Sequence, residues 1–361
     1  MINYLIVGGF PNKKSNIIGG QITACNNLFP NHLYNLKNTI RFDTTQISNP
    51  PPNLINRLYF SILRFPLFLY NIYFKKPINV IILMSSGTSF LEKTLYAFIA
   101  NLFRSKTIIV PRSDLIIEQV KSKLIYKIFF WILISSTKKF IFQSPSFLKA
   151  FPKLKNKEYE ILPNCINVEK IEIAKKEKFL PDYEFHLLFV GWLEPIKNIS
   201  LLLDAVKIIK DLLPRKSIIL HIVGNGSEIS FLRKKSNKNN LNTIFHGWIN
   251  DKKELNKIYS RANCFCLTSQ NEGFPNVVLE AMKNGLPIVS TKVGALPHWL
   301  KEEKNILFSE KNNSRSYALQ ILKLLSSKNL YNSISKNNLN DIKNRFNCKI
   351  ISEELKMILD D

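Results

Sequence analysis

The stretch Ser269-Gln-Asn-Glu-Gly-Phe-Pro-Asn-Val-Val-Leu-Glu-Ala-Met-Lys-Asn-Gly-Leu-Pro-Ile-Val289 decides how this chain is read. The apolar run Cys264 to Thr268 before it predicts a strand. A loop then carries Glu272 and Gly273, and a helix opens near Pro275, because proline's missing N–H is unpaired anyway in a first helical turn. That helix is expected over Asn276 to Asn284, closed by Gly285 in a left-handed C′ position. Leu286 to Val289 reads as the next strand. The helix start over Phe274, Pro275, Asn276 and Val277 aims backbone amides outward, an anion site for phosphate or a sugar hydroxyl. Glu272 precedes the helix and can face a sugar, Glu280 lies further along and can reach a ribose, and Gly273 leaves room for a ligand against backbone.

Strand and helix alternate on both sides of this stretch. Upstream within the same half, strands are expected at Leu187–Val190, Ile218–Val223 and Thr243–Phe245, with helices at Ser200–Leu213 and Leu255–Arg261. In the first half, strands are expected at Ile2–Val7, Val80–Met84, Thr107–Val110 and Phe140–Gln143, with a helix from Phe90 to Phe103. Alternation of this kind argues for parallel sheets with covered faces. The charged run from residue 168 to 183 breaks the pattern and marks a boundary. The fold class is therefore α/β, two consecutive doubly wound domains: 1–170, then 171–335, with 336–361 as a C-terminal helical tail. In such sheets ligands sit at the carboxyl ends of strands, near a topological switch point, and two facing domains would place the site in the cleft.

A length of 361 residues, 45% hydrophobic, is enough for two real cores and excludes a disordered chain. Lys plus Arg number 51 against 27 Asp plus Glu, a net charge of +24 that attracts polyanions or an anionic membrane. The alternative is a compositional bias in which lysines simply solvate the surface. Cys25, Cys165, Cys264, Cys266 and Cys348 have neither zinc-site nor disulfide-framework spacing, so a reducing cytoplasm is expected. Cys264 and Cys266 share one strand face as small core residues. The N-terminus reads as a strand, not a signal peptide. Two very apolar stretches, Leu58–Phe74 and Leu124–Thr137, are interrupted by Arg64, Pro66 and Asn71 and by Lys127. Neither reaches the ~20 uninterrupted apolar residues of a spanning helix. Both have lysines at their edges, which fits a buried helix with a solvated end or an interfacial helix on anionic lipid.

The string from Glu272 to Glu280 resembles the E-x7-E signature of family 4 of the retaining glycosyltransferases. Further matches occur in the family's order. Ile161-Leu-Pro-Asn-Cys-Ile-Asn167 is similar to its inter-domain P-N-G-I-D segment, with Cys165 for Gly. Val190-Gly-Trp-Leu-Glu-Pro-Ile-Lys197 resembles G-R-L-x-x-x-K, Val223-Gly-Asn-Gly resembles V-G-x-G, and His246-Gly-Trp-Ile249 matches the strand end near the nucleotide base. Gly19 and Gly20 match the glycine loop that approaches the donor phosphates. The resemblance covers about residues 1 to 310 and is stronger in the second half. It implies the GT-B architecture of two Rossmann-like domains, in which the last helix commonly crosses back to the first.

It also implies a retaining transferase moving a sugar from a nucleotide-diphosphate sugar to an acceptor, of the lipopolysaccharide, O-antigen or capsule kind. Donor-side residues are then Gly19, Gly20, Gly191, Gly224, Gly247, Trp248, Gly273, Phe274, Pro275, Asn276, Val277 and Glu280. Lys197, Glu272 and Arg112 are the catalytic candidates: Lys197 binds the diphosphate, Glu272 orients the sugar hydroxyls in a front-face attack, and Arg112 follows a strand near where many members carry a His. There is no Asp-x-Asp pair or His cluster for a metal, so fixed cations and helix amides are expected to neutralise the leaving diphosphate, with no cofactor. Expected partners are the donor, a saccharide or lipid-linked saccharide acceptor and an anionic membrane surface, the protein lying at its cytoplasmic face; nucleic acid is not expected. Two departures stand out: Trp192 where the family has Arg, and His298 where it has Glu. Trp192, together with the missing His where Arg112 stands, favours as an alternative a non-catalytic subunit of the same fold; a basic nucleic-acid-binding protein or an epimerase of this fold are further ones.

Overall fold

The computed structural model describes residues 3–10, 19–29, 38–46, 48, 52–168 and 184–360. Ile2 of the expected first strand and the expected boundary segment from residue 169 to 183 lie outside the described residues. The chain forms two units. The first holds β1 (Tyr4–Gly8), α1 (Gly20–Leu28), β2 (Thr39–Asp43), α2 (Leu54–Lys75), β3 (Asn79–Met84), α3 (Thr88–Leu102), β4 (Lys106–Pro111), α4 (Leu115–Ser122), α5 (Leu124–Ser136), β5 (Lys139–Phe142), α6 (Ser146–Ala150) and β6 (Glu158–Ile161). Its strands are all parallel, in the order β2-β1-β3-β4-β5-β6.

β3 is central and reads Val-Ile-Ile-Leu-Met because both of its faces are covered, and all five residues are fully buried. Strand order reverses between β1 and β3, the point where an open α/β sheet binds ligands. One face is covered by α2, α3 and α5, whose Phe68, Tyr96 and Phe130 share a core cluster with Val80 and Ile82. Phe68 stacks on Tyr96 with ring centroids 4.2 Å apart. The other face is covered by α1, through Cys25 and Leu28.

The second unit holds β7 (Glu184–Val190), α7 (Ile199–Leu212), β8 (Ser217–Val223), α8 (Ile229–Lys238), β9 (Asn242–Gly247), α9 (Lys252–Arg261), β10 (Cys264–Leu267), α10 (Asn276–Lys283), β11 (Ile288–Thr291), α11 (Leu296–Trp299), β12 (Leu307–Ser309), α12 (Ser314–Ser326) and α13 (Lys328–Asn344). Its six parallel strands run β12-β11-β10-β7-β8-β9. Counted from β7 this is the 3-2-1-4-5-6 order of dinucleotide-binding folds, with the switch point between β7 and β10. Cys264 and Cys266 lie together in its core, as their shared strand face requires. All five cysteines are buried and free.

The remaining helix, α14 (Cys348–Asp360), belongs to the first unit, where Cys348, Ile351, Leu355 and Leu359 join the α1 face of the core. The change of unit falls between Asn347 and Cys348, after α13. Glu272–Phe274 also sort with the first unit.

Candidate active site

In the second unit the carboxyl ends of β7, β8 and β9 are joined backbone to backbone. Gly191 N–H donates to Val223 O (3.0 Å), Gly224 N–H to Gly247 O (2.8 Å) and Leu193 N–H to Asn225 O (2.9 Å). The approach is close enough that a Cβ on Gly224 would lie 1.8 Å from Gly191 O, and one on Gly226 would lie 2.5 Å from Leu193 O. Glycine at 224 and 226 is therefore a condition of the loop pairing. Glu194 adds a side-chain tie, accepting from Ser227 N–H (3.0 Å) and Ser227 Oγ (2.6 Å).

Lys197 ends a short 3-10 turn, Pro195–Lys197, directly after β7. The loop after β10 is tied to that turn: Thr268 Oγ1 donates to Lys197 O (2.9 Å) and Gln270 N–H to Ile196 O (2.8 Å). The two loops that flank the switch point thus form one rigid ledge, with Lys197 half-buried on it. Where the family pattern has Arg after Gly191, Trp192 packs against Trp248 with centroids 4.6 Å apart, both half-buried beyond the carboxyl ends of β7 and β9, the strands on either side of β8. Trp248 Nε1 donates to Asn250 Oδ1 (2.7 Å), which fixes the ring.

Pro275 is the N-cap of α10, and Gly285 beyond its last turn has φ 66°, the left-handed conformation expected of it. Glu280, in the middle of α10, accepts from Tyr259 Oη (3.0 Å). Burial pushes its carboxyl above the usual range, opposed by Tyr259, Lys252 and Lys283. Val277 and Asn276 lie half-buried in the first turn. The Phe274 N–H does not face outward as expected, because it donates to Gln143 Oε1 (3.2 Å), and the Phe274 ring is buried.

That bond belongs to a network of the first unit, built at the carboxyl ends of β4, β5 and β6. Arg112 Nη1 (2.9 Å) and Gln143 Nε2 (3.0 Å) both donate to Asn164 Oδ1, and Asn164 Nδ2 donates to Phe274 O (2.5 Å). Gly273 sits inside it: a Cβ there would lie 2.3 Å from Gln143 Oε1 and 2.7 Å from Arg112 O. The room expected beside Gly273 is thus filled by protein. Arg112 Nε is buried and meets no acceptor among the described residues. Burial lowers the guanidinium to about 10, offset only in part by Cys25 and Cys165. A buried cation that meets a neutral amide and no carboxylate among the described residues is electrostatically unfinished. Gly19 caps α1, and a Cβ there would meet nothing within 4 Å; Gly20 is the first residue of that helix. His298 lies exposed in α11, edge-on to Trp299. Glu272 is half-buried.

Two features of the site region are absent from a reading of the sequence. Asn164 and Gln143 organise Arg112 and Phe274, although Asn164 lies within the Pro-Asn-Cys-Ile-Asn segment that drew attention. His186, His221 and His246, on β7, β8 and β9, form a ladder with Nδ1···Nε2 distances of 2.9 Å at both steps. Among the described residues no group of His, Cys, Asp and Glu is arranged to hold a metal ion.

Residues 170–341 match the family model of glycosyl transferases group 1. An uncharacterised glycosyltransferase of Methanocaldococcus jannaschii is 29% identical over 43% of this chain and 42% of its own length. The Escherichia coli UDP-Gal:alpha-D-GlcNAc-diphosphoundecaprenol alpha-1,3-galactosyltransferase is 30% identical over 52% of this chain and 50% of its own length. The chain thus spans half or less of the length of these relatives. HepE of Anabaena, crystallised with UDP-glucose, superposes over all of both chains with a TM-score of 0.74 at 14% identity, a likeness of fold. The expected α/β class with two Rossmann-like domains of the GT-B kind is the observed one.

Proposed function

We propose that the chain, whose residues 170–341 match the family model of glycosyl transferases group 1, transfers a sugar from a nucleotide-diphosphate sugar to a saccharide acceptor of a cell-surface glycan. The observation that carries this reading is the ledge at the switch point of the second unit, where Lys197, the paired glycine loops and the start of α10 meet around the carboxyl ends of β7 and β10. The names of the E. coli relative and of the HepE complex share a uridine nucleotide, so UDP-sugar is the donor class proposed. The acceptor of that relative supports a lipid-linked saccharide here, and with it a place at the cytoplasmic face of a membrane.

Transfer breaks the bond from the sugar's anomeric carbon to the diphosphate and leaves negative charge on the departing phosphate. Lys197 and the α10 amides are assigned to that charge, and so is Arg112, whose buried guanidinium meets no carboxylate among the described residues. No metal is required by this assignment. Glu280, held by Tyr259, accepts from the ribose, and the Trp192–Trp248 pair offers an aromatic surface for the base. Glu272 orients the sugar hydroxyls. In a retaining, front-face reaction the acceptor hydroxyl gives its proton to the leaving phosphate oxygen.

Titration with UDP, GDP and ADP in the presence of EDTA tests the proposal, beside Lys197→Ala and Glu280→Ala. Micromolar binding of UDP, weakened by both changes, is expected, followed by transfer from a UDP-sugar with an anomeric proton signal that keeps its configuration. If no nucleotide binds, the non-catalytic reading that Trp192 favours takes first place.

A further inference from the structure

We propose that the outer face of the α2–α3–α5 layer of the first unit is a docking surface for an anionic lipid bilayer. Helix α2 is built inside out for a protein in water. Of its 22 residues only Phe68 and Ile72 are buried. Ile55, Ile62 and Phe74 are 76%, 69% and 64% exposed, and Leu58, Tyr59, Leu63, Leu67 and Tyr73 continue the same open stripe. Its polar side chains Arg57 and Arg64 turn the other way and line a polar cavity of about 180 Å³ with Thr44, Ser85 and Glu92.

The apolar surface does not stop at α2. Helices α2, α3 and α5 lie over the same face of the sheet and share one core cluster. On the outside of α3, Phe98 and Leu102 are exposed, and on α5 so are Leu124, Ile128 and Trp131. Exposed apolar side chains gathered on one surface in this way mark an interaction site.

Charge identifies the occupant. The three helices contain a single acid, Glu92, which is buried and faces Arg64 Nη1 at 3.6 Å. Exposed cations border the apolar area instead: Lys75 and Lys76 at the end of α2, Arg104 after α3, and Lys123 and Lys127 at α5. An apolar field edged by cations, with Tyr and Trp among its exposed residues, matches the interface of an anionic bilayer. A second copy of the chain would set these cations against themselves. Among the described residues no helix is long and apolar enough to cross a membrane, so α2 lies on the bilayer rather than through it. The inference stands apart from the transferase reading, since lipid binding is measured without donor or acceptor.

The test is flotation of the full chain with phosphatidylcholine vesicles, with and without phosphatidylglycerol, at low and high salt. The chain should float with the anionic vesicles and be released in part by salt. Ile62→Glu with Leu67→Glu should abolish flotation, and Lys123→Gln with Lys127→Gln should weaken it roughly fivefold for each cation removed. These are surface changes, and circular dichroism checks that both variants remain folded. No flotation of the parent chain with anionic vesicles overturns the proposal, as does flotation unaltered in the Ile62→Glu, Leu67→Glu variant. So does a parent chain that elutes as a dimer, becomes monomeric in that variant and floats in neither form.

Discussion

Trp192 and Trp248 face each other at the carboxyl ends of β7 and β9, with ring centroids 4.6 Å apart and planes inclined by 35°. The position after Gly191, where resemblance led to an arginine, therefore offers an aromatic surface in place of a cation. Stacking of a base on an aromatic ring contributes about 1–3 kcal/mol. Trp248→Ala is expected to weaken UDP binding roughly tenfold, and Trp192→Ala to do the same by removing the support of its ring. Binding should also alter tryptophan fluorescence in the parent chain. Trp192→Arg tests the converse: if it strengthens UDP binding, position 192 is suited to a diphosphate cation and the pair is not a base platform.

Arg112 makes a prediction that separates function from structure. Its guanidinium is buried against Asn164 with Nε unanswered. Replacing a buried, poorly compensated charge by a neutral donor costs little stability and can add to it. Arg112→Gln should hold the melting temperature at or above that of the parent chain. If Arg112 stabilises charge on the leaving diphosphate, transfer should fall about 10²–10³-fold in the same variant. A variant that melts early and transfers sugar at its residual folded fraction would mark Arg112 as a structural residue.

The parts legible in the sequence are those that are buried on both sides. β1, β3, β4, β7, β8, β10 and β11 are apolar runs, and each was readable as a strand. The strands that escaped notice are β2, β6 and β12, all at sheet edges. β6 reads Glu-Tyr-Glu-Ile with its first three residues exposed, and β12 has three residues, so neither carries a period. The same holds for sites. Lys197, Glu280 and the glycines stand in recognisable strings, whereas Gln143, Asn164 and Phe274 meet only because β5, β6 and the loop before α10 end together. His186, His221 and His246 are 35 and 25 residues apart and align only through strand pairing.

Two glycines of the site region should respond differently to one methyl group. In Gly224→Ala the new Cβ would fall 1.8 Å from Gly191 O, at a φ of 140°. The backbone must give way, at a cost of about 3 kcal/mol or more. The second unit should then melt roughly 6–12 °C lower, with loss of UDP binding. In Gly19→Ala the Cβ meets nothing within 4 Å and φ is extended, so the melting temperature should not move. Any loss of transfer in Gly19→Ala then reports on a ligand brought to that loop. Equal melting temperatures for the two variants would contradict the close pairing of the β7 and β8 loops.

The histidine ladder predicts an acid-sensitive second unit. Each step is a 2.9 Å contact between Nδ1 of one ring and Nε2 of the next, so a run of neutral rings of one tautomer satisfies both bonds. Protons added to His221 and His246 set two N–H groups head to head along these contacts. Burial, then His186, His246 and Arg261, push His221 down to about 4, and burial lowers His246 against the pull of Glu254. In the unfolded chain His221 and His246 take up protons near 6.5, whereas in the folded ladder they resist them. Stability is therefore complete above about 6.5 and is lost as pH falls from there toward 4. Thermal unfolding between pH 7 and 4.5 should show a falling melting temperature, and His221→Phe, which stacks without titrating, should flatten that fall. A slope unchanged in His221→Phe would assign the acid sensitivity to other groups.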